Sequence, residues 1–227
     1  LKYSDTSLIV KCYTEEEGLK SYIIKGVLKA KKGGIKAAYF QPLTQLNLVA
    51  NHSTKSALHT LKEVQILNPY KTIFRDIVKQ SVVLFLSEVL SNSIQEEEKN
   101  TDFYNYLEAG LMWLDAHDKI SNFHLLFLLN ASRFLGFYPD TSEIERSGFD
   151  LLNGSFSEAT GNRNIISGNE LFQFKKLLGI NFDSIDSVPF SKKERQLVLQ
   201  IIIRYFELHL DGFRKPKSLQ ILETVFN

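Results

Sequence analysis

The chain has 227 residues, a formal net charge of +1, 44% hydrophobic residues and a single cysteine, Cys12. That length gives one or two domains with a sizeable core, and the composition excludes disordered, collagen-like and low-complexity classes. One cysteine excludes an intramolecular disulfide and a cysteine-based zinc cluster and reads as cytoplasmic, no apolar run has the roughly 18–20 residues of a membrane span, and near-neutrality argues at first against a nucleic-acid binder.

The charge is unevenly spread, however. Residues 1–75 hold 12 Lys/Arg against 5 Asp/Glu, and residues 76–227 hold 15 against 21. Such asymmetry points to two domains with different partners. The first half reads as β. In Ser7–Tyr13, Leu8, Val10 and Cys12 alternate with Ser7, Ile9 and Lys11. Lys20–Leu28 places Tyr22, Ile24 and Leu28 on one face, and Thr44–Ala50 alternates Leu46, Leu48 and Ala50 with Gln45, Asn47 and Val49. Leu58–Leu67 is a weaker fourth strand, and Gly18 marks a turn. Short strands with Gly and Asn breaks suggest a small barrel or sandwich.

The second half reads as α. Apolar residues recur at helical spacing from Ile73 to about Ile94. Thr101 or Asp102 is placed to cap a helix running to about His117, and Phe123–Phe137 is apolar nearly all round, which predicts a central buried helix. Ser167–Glu170 and Ser191–Glu194 match the capping-box spacing. Pro216 opens a last short helix to Phe226. The stretch 139–166 reads as an irregular loop or hairpin.

Catalytic signals are weak. The five histidines, His52, His59, His117, His124 and His209, form no HxxxH or HxH pair, whereas a metal site needs clustered ligands. Glu15–Glu17 and Glu96–Glu98 read as solvated charge runs, since consecutive carboxylates do not face one another. There is no Gly-x-Ser-x-Gly elbow and no phosphate loop at Gly33-Gly34. Cys12, mid-strand, reads as a small buried hydrophobe. The chain is read as a non-enzyme with no cofactor, metal or small-molecule substrate.

The strongest signal is basic. Lys20, Lys25, Lys29, Lys31, Lys32 and Lys36 fall within 17 residues, with no acid from Leu19 through Leu58 and with Tyr22, Tyr39 and Phe40 interleaved. Lysines neutralise phosphates, aromatic rings stack bases, and an oligonucleotide-binding (OB) fold uses both. The competing reading is a solvated edge whose lysines block aggregation.

At these residues the chain resembles the RecO family of bacterial recombination mediators. The likeness runs through Tyr3–Val10, Tyr13-Thr14-Glu15, Gly18-Leu19, Lys25-Gly26 and Phe40-Gln41-Pro42-Leu43. It continues in Phe85–Leu90, Asn122–Leu125, Leu135–Pro139, Glu194-Arg195, Tyr205–Leu210 and Lys217-Ser218-Leu219. The resemblance implies an α+β protein, with an N-terminal OB-fold β-barrel (1–72) followed by an all-α C-terminal domain (73–227). It implies binding of single- and double-stranded DNA, annealing of complementary strands and, with RecR, loading of RecA onto strands coated by single-strand-binding protein. Such a protein works in the cytoplasm at the nucleoid. The positions that match the family's DNA-facing surface are Lys25, Lys29, Lys31, Lys32 and Lys36, with Tyr39 or Phe40 as stacker. The acidic, Phe-ending tail of the coating protein needs a groove beside a cation, and Arg133 is the candidate; the other reading of Arg133 is a helix-end cation facing the dipole. Many members carry a four-cysteine zinc site where this chain has Asp140–Ile166 without cysteine, so Phe149-Asp150-Leu151 and Phe156 are expected to pack that stretch instead. The family's opening strand would precede Leu1. The rival to a DNA-repair mediator is an interaction scaffold whose barrel touches no nucleic acid.

Overall fold

The computed structural model describes residues 2–29, 35–52, 56–95 and 97–226. The chain divides into two units, Leu1–Lys71 with Ile94–Glu108, and Thr72–Ser93 with Ala109–Asn227.

The first unit is built on strands β1 (Leu8–Thr14), β2 (Gly18–Ile24), β3 (Leu46–Asn51) and β4 (Leu58–Ile66), in the sheet order β1-β2-β4-β3. β1/β2 and β3/β4 are antiparallel, while β2 and β4 run parallel. This is the α+β arrangement expected, with the OB-type unit first. The β1–β2 turn requires glycine. Gly18 has φ +63°, and a Cβ there would strike the backbone carbonyl of Glu98. Thr14 Oγ1 donates to the Gly18 carbonyl at 2.9 Å and accepts from Glu17 N at 3.1 Å, which closes the hairpin.

Alternation holds along β2 only to its end. Tyr22 and Ile24 are buried, but Leu28 is exposed and Val27 is buried in its place. The strand stops at Ile24, Gly26 takes φ +72°, and Val27–Lys29 form a 3-10 turn, so the two-residue period is lost.

The segment 94–108, read from sequence as part of the helical half, groups with the first unit. Tyr13 and Phe103 rings lie 5.4 Å apart, and the Tyr13 hydroxyl donates to the Asn100 carbonyl at 3.5 Å. Asn68 Nδ2 donates to Glu108 Oε1 at 3.3 Å. Helix α2 (Thr101–Ala116) thus contributes to both units. Its cap is Asn100, one residue earlier than expected: Asn100 Oδ1 accepts from Phe103 N at 3.0 Å.

The second unit holds α1 (Ile77–Ser93), the rest of α2, α3 (Phe123–Phe134), α4 (Gly168–Lys175), α5 (Lys192–His209) and α6 (Leu219–Val225). The apolar period runs upstream to Ile73, but α1 starts after Asp76, whose Oδ1 accepts from Val78 N and Lys79 N at 2.7 and 3.1 Å. α3 is the central helix, and every residue from Phe123 to Leu129 is buried. Trp113 lies parallel to Phe123, with centroids 5.5 Å apart and planes at 4°. The capping box forms at Ser191–Glu194. It does not form at Ser167, whose side chain makes no cap hydrogen bond and which is followed by Gly168 at φ +54°. α6 starts at Leu219, not Pro216; Pro216 instead supplies the carbonyl that accepts Leu219 N.

The stretch 139–166, expected as an irregular loop or hairpin, carries most of a three-stranded antiparallel sheet that includes a β5–β6 hairpin. Its strands are β5 (Gly148–Asp150), β6 (Ser155–Ser157) and β7 (Ile165–Ser167), in the order β6-β5-β7. Each strand has three residues, too short for an alternation signal to show. Phe149, Leu151 and Phe156 are buried, and Phe149 packs on Phe156, Phe174 and Tyr205 with centroids 5.0–5.9 Å away. Gly154 is required at the β5–β6 turn, since its φ is +66° and a Cβ would meet the Tyr205 hydroxyl at 2.6 Å. An apolar core fills this subdomain, and with the chain's one sulfur donor at Cys12 a thiolate zinc site does not fit here.

Candidate nucleic-acid interface

The basic stretch follows β2. Lys25 is exposed directly after the strand, and Lys29 is exposed at the end of the 3-10 turn anchored by buried Val27. The Thr6 carbonyl accepts Leu28 N at 3.0 Å, which ties this turn to the strand entering the sheet. Lys36 is exposed and opens a second 3-10 turn, Ala37–Phe40, with Tyr39 N donating to the Lys36 carbonyl at 3.1 Å. That hydrogen bond brings Lys36, Tyr39 and Phe40 together. Both rings are half-buried, and the turn packs against β4. Lys31 and Lys32 lie outside the described residues.

A rigid strap follows. Leu43 takes φ 55°, an unusual value for a branched side chain. The Tyr70 hydroxyl donates to the Leu43 carbonyl at 2.8 Å, and Thr44 bonds the Gln41 carbonyl through both its N–H (3.2 Å) and its hydroxyl (2.9 Å). These bonds over-determine the turn and give Phe40-Gln41-Pro42-Leu43 a physical reason.

Lys20 is withdrawn from the basic set. Its Nζ pairs with Glu97 Oε2 at 3.4 Å, and the side chain is only 14% exposed. The wider charge balance shifts with it. Segment 94–108 brings five acids and one lysine into the first unit, leaving that unit near +2 and the second near −1. The positive charge is local to the Lys25–Lys36 stretch, and the second unit is not strongly acidic.

Four residues that sequence spacing did not connect also meet on this unit. The parallel register sets Tyr22 opposite His59, and the β3–β4 pairing returns His52 alongside. The imidazole centroids of His52 and His59 lie 4.5 Å apart with planes tilted by 31°, the Tyr22 hydroxyl meets His52 Nε2 at 3.2 Å, and Glu17 Oε2 lies 3.8 Å from His52 Nδ1. Burial, then the Cys12 and Glu17 charges, raise the Tyr22 phenol above its ordinary range. Strand register alone creates this cluster, and no motif announces it. Among the described residues no group of three or more His, Cys, Asp or Glu is placed to hold a metal ion.

Cys12 is half-buried, and burial pushes its thiol up to about 12. The reactive thiolate is therefore scarce at neutral pH. Alkylation of the native protein at pH 8 is expected to run at least ~100-fold slower than in denaturant. Equal rates in a timed iodoacetamide assay with mass detection would contradict the burial.

Arg133, near the end of α3, is exposed, with its guanidinium carbon 4.2 Å from the Tyr138 ring centroid. No described helix is long and apolar enough to cross a membrane.

A family model described as Recombination protein O N terminal matches residues 1–70, and one described as Recombination protein O C terminal matches residues 75–220. Proteins called DNA repair protein RecO from Flavobacterium psychrophilum and Flavobacterium johnsoniae are each 46% identical over 227 residues, covering 100% of this chain and 95% of theirs. The protein of the same name from Phocaeicola vulgatus is 36% identical over 230 residues, again covering 100% of this chain and 95% of its own.

Proposed function

This chain belongs to the recombination protein O family over both its halves, and from that premise we propose that it is a non-catalytic DNA-repair mediator. It binds single- and double-stranded DNA through the first unit and anneals complementary strands. With RecR it helps RecA replace single-strand-binding protein. The observation that carries this reading is the exposure of Lys25, Lys29 and Lys36 on an OB-type unit, Lys36 opening the turn that holds the half-buried rings of Tyr39 and Phe40. Lysine ammoniums replace the counterions of phosphates, which lowers repulsion between two strands and lets them pair. The assignment of residues 1–72 to DNA and of the helical remainder to protein partners belongs to the same proposal. Arg133, whose guanidinium carbon lies 4.2 Å over the Tyr138 ring, is the cation we assign to the carboxylate of the coating protein's tail. The protein acts in the cytoplasm at the nucleoid, without metal or cofactor.

The test is binding of a fluorescent oligothymidine at two or more salt concentrations. Each phosphate contact contributes about 0.7 to the log–log salt slope on single strands. Lys25→Ala/Lys29→Ala/Lys36→Ala is therefore expected to flatten the slope by about 2 and to weaken binding at least ~10-fold at low salt. An unchanged slope would remove these lysines from the interface. No binding at low salt by the native chain would favour a scaffold that never touches nucleic acid.

A further inference from the structure

The helical unit carries a basic, aromatic face that the reading above does not use. Phe172 on α4 is 61% exposed. A lone exposed phenylalanine needs no explanation, but this one is set among cations. Lys176 Nζ lies 4.8 Å from its ring centroid and 5.5 Å from that of Phe190. Lys175 Nζ lies 5.1 Å from the Phe156 ring and donates to the Arg146 carbonyl at 3.3 Å. Gln173 Nε2 donates to Glu194 Oε1 at 2.8 Å, which fastens α4 to the first turn of α5. That turn begins with Lys192 and Lys193, both exposed.

Two observations favour an anion on this face. Glu194, the acid in its middle, is already engaged: Oε2 accepts Ser191 N at 2.7 Å, Oε1 accepts Gln173, and the Ser191 hydrogen bonds hold its carboxyl below the usual range. Glu170 is the exposed acid that α4 itself contributes. Lys192 and Lys193, moreover, occupy the first helical positions of α5, where the helix dipole disfavours cations. Helix stability does not ask for lysines there, whereas an incoming phosphate does. At 61% exposure Phe172 offers a ring face to stack on, the platform single-strand binders present to bases.

We propose that this face binds a second single strand of nucleic acid. Phe172 stacks a base, and Lys175, Lys176, Lys192 and Lys193 neutralise its phosphates. The proposal rests on the reading that the chain handles DNA strands, and it supplies what annealing needs: a separate place for each of the two strands.

The experiment uses the full chain, a fluorescent oligothymidine and a complementary oligonucleotide pair. Phe172→Ala/Lys176→Ala is expected to slow annealing about 10-fold, within the range of one lost stacking contact, while single-oligothymidine affinity falls less than about threefold because the first unit is untouched. A photo-crosslinking amino acid at position 172 is expected to capture the oligothymidine. Unchanged annealing, or no capture at 172, overturns the proposal. So does preferential capture of a ten-residue Asp/Glu peptide, which would mark an acidic-protein site. The two readings fail separately. If Lys25→Ala/Lys29→Ala/Lys36→Ala keeps full affinity while crosslinking at 172 persists, the first-unit assignment falls and this one stands. If that triple variant loses affinity while Phe172→Ala/Lys176→Ala anneals normally, this one falls.

Discussion

Asp115→Ala is expected to lower the unfolding free energy by about 3–5 kcal/mol, the scale of breaking a buried charged network. Asp115 is 6% exposed, and its Oδ1 accepts Thr72 N at 2.8 Å, Ile73 N at 2.9 Å and Thr72 Oγ1 at 3.1 Å. Its own carbonyl accepts the Thr72 hydroxyl at 2.6 Å and Lys79 Nζ at 3.3 Å, and Lys79 Nζ also donates to Thr72 Oγ1 at 2.7 Å. Lys79 is 1% exposed. Removing the carboxylate strands two backbone N–H groups, each costing about 1–3 kcal/mol if left buried. It also takes the negative charge out of a network that holds a buried ammonium. Asp115→Asn keeps one acceptor and is expected to cost about half as much. Urea unfolding at neutral pH measures both. A loss below about 1 kcal/mol for Asp115→Ala would show that water relieves the network.

His124 is expected to make the protein acid-labile. It is 1% exposed on α3, and its Nδ1 has no hydrogen-bond partner. It stacks on Phe226 with centroids 5.2 Å apart and meets the edge of Phe85 at 6.2 Å. Burial, then repulsion from Arg195, lowers its imidazole from 6.5 to about 3. The unfolded chain therefore binds a proton that the native state refuses. The stability contributed by neutral His124 is complete above about pH 6.5 and is lost as pH falls from there toward 3. Between pH 7 and pH 5 that loss is about 2 kcal/mol. His124→Phe is expected to remove this portion of the pH dependence. Chemical unfolding of both proteins at the two pH values isolates it, and equal losses in the two proteins would assign the acid lability elsewhere.

Neither network was visible beforehand. Asp115 reads as an unremarkable residue near the end of α2, and its partners lie some forty positions upstream. His124 sits in an apolar run, where burial is foreseeable but an unpartnered nitrogen is not. The candidate interface was more legible, because a lysine run without acids shows its charge whatever its fold. Even there the structure removed Lys20, through a carboxylate 77 residues away, and reduced the apparent excess of the first half by adding segment 94–108 to its unit.

The sequence by itself determined what depends on neighbours along the chain. It placed β1, β2 and β3 by alternation, β4 only weakly, α3 by its all-round apolar character, and the start of α5 by a Ser-x-x-Glu cap. It also ruled out a thiolate zinc site, because a missing sulfur donor is missing in any fold. The tertiary structure alone decided what depends on register and packing between distant segments. The Tyr22–His52–His59 cluster exists because β2 and β4 run parallel with Tyr22 opposite His59. The β5–β7 sheet exists because three-residue strands gain their stability from the shared Phe149 core rather than from their own pattern. The basic face around Phe172 exists because Gln173 fastens α4 to the first turn of α5. Such contacts join segments about 20 to 80 residues apart, over which a local period carries no information. A one-residue slip in strand register would turn Tyr22, His59 and Phe149 to the other face of their sheets.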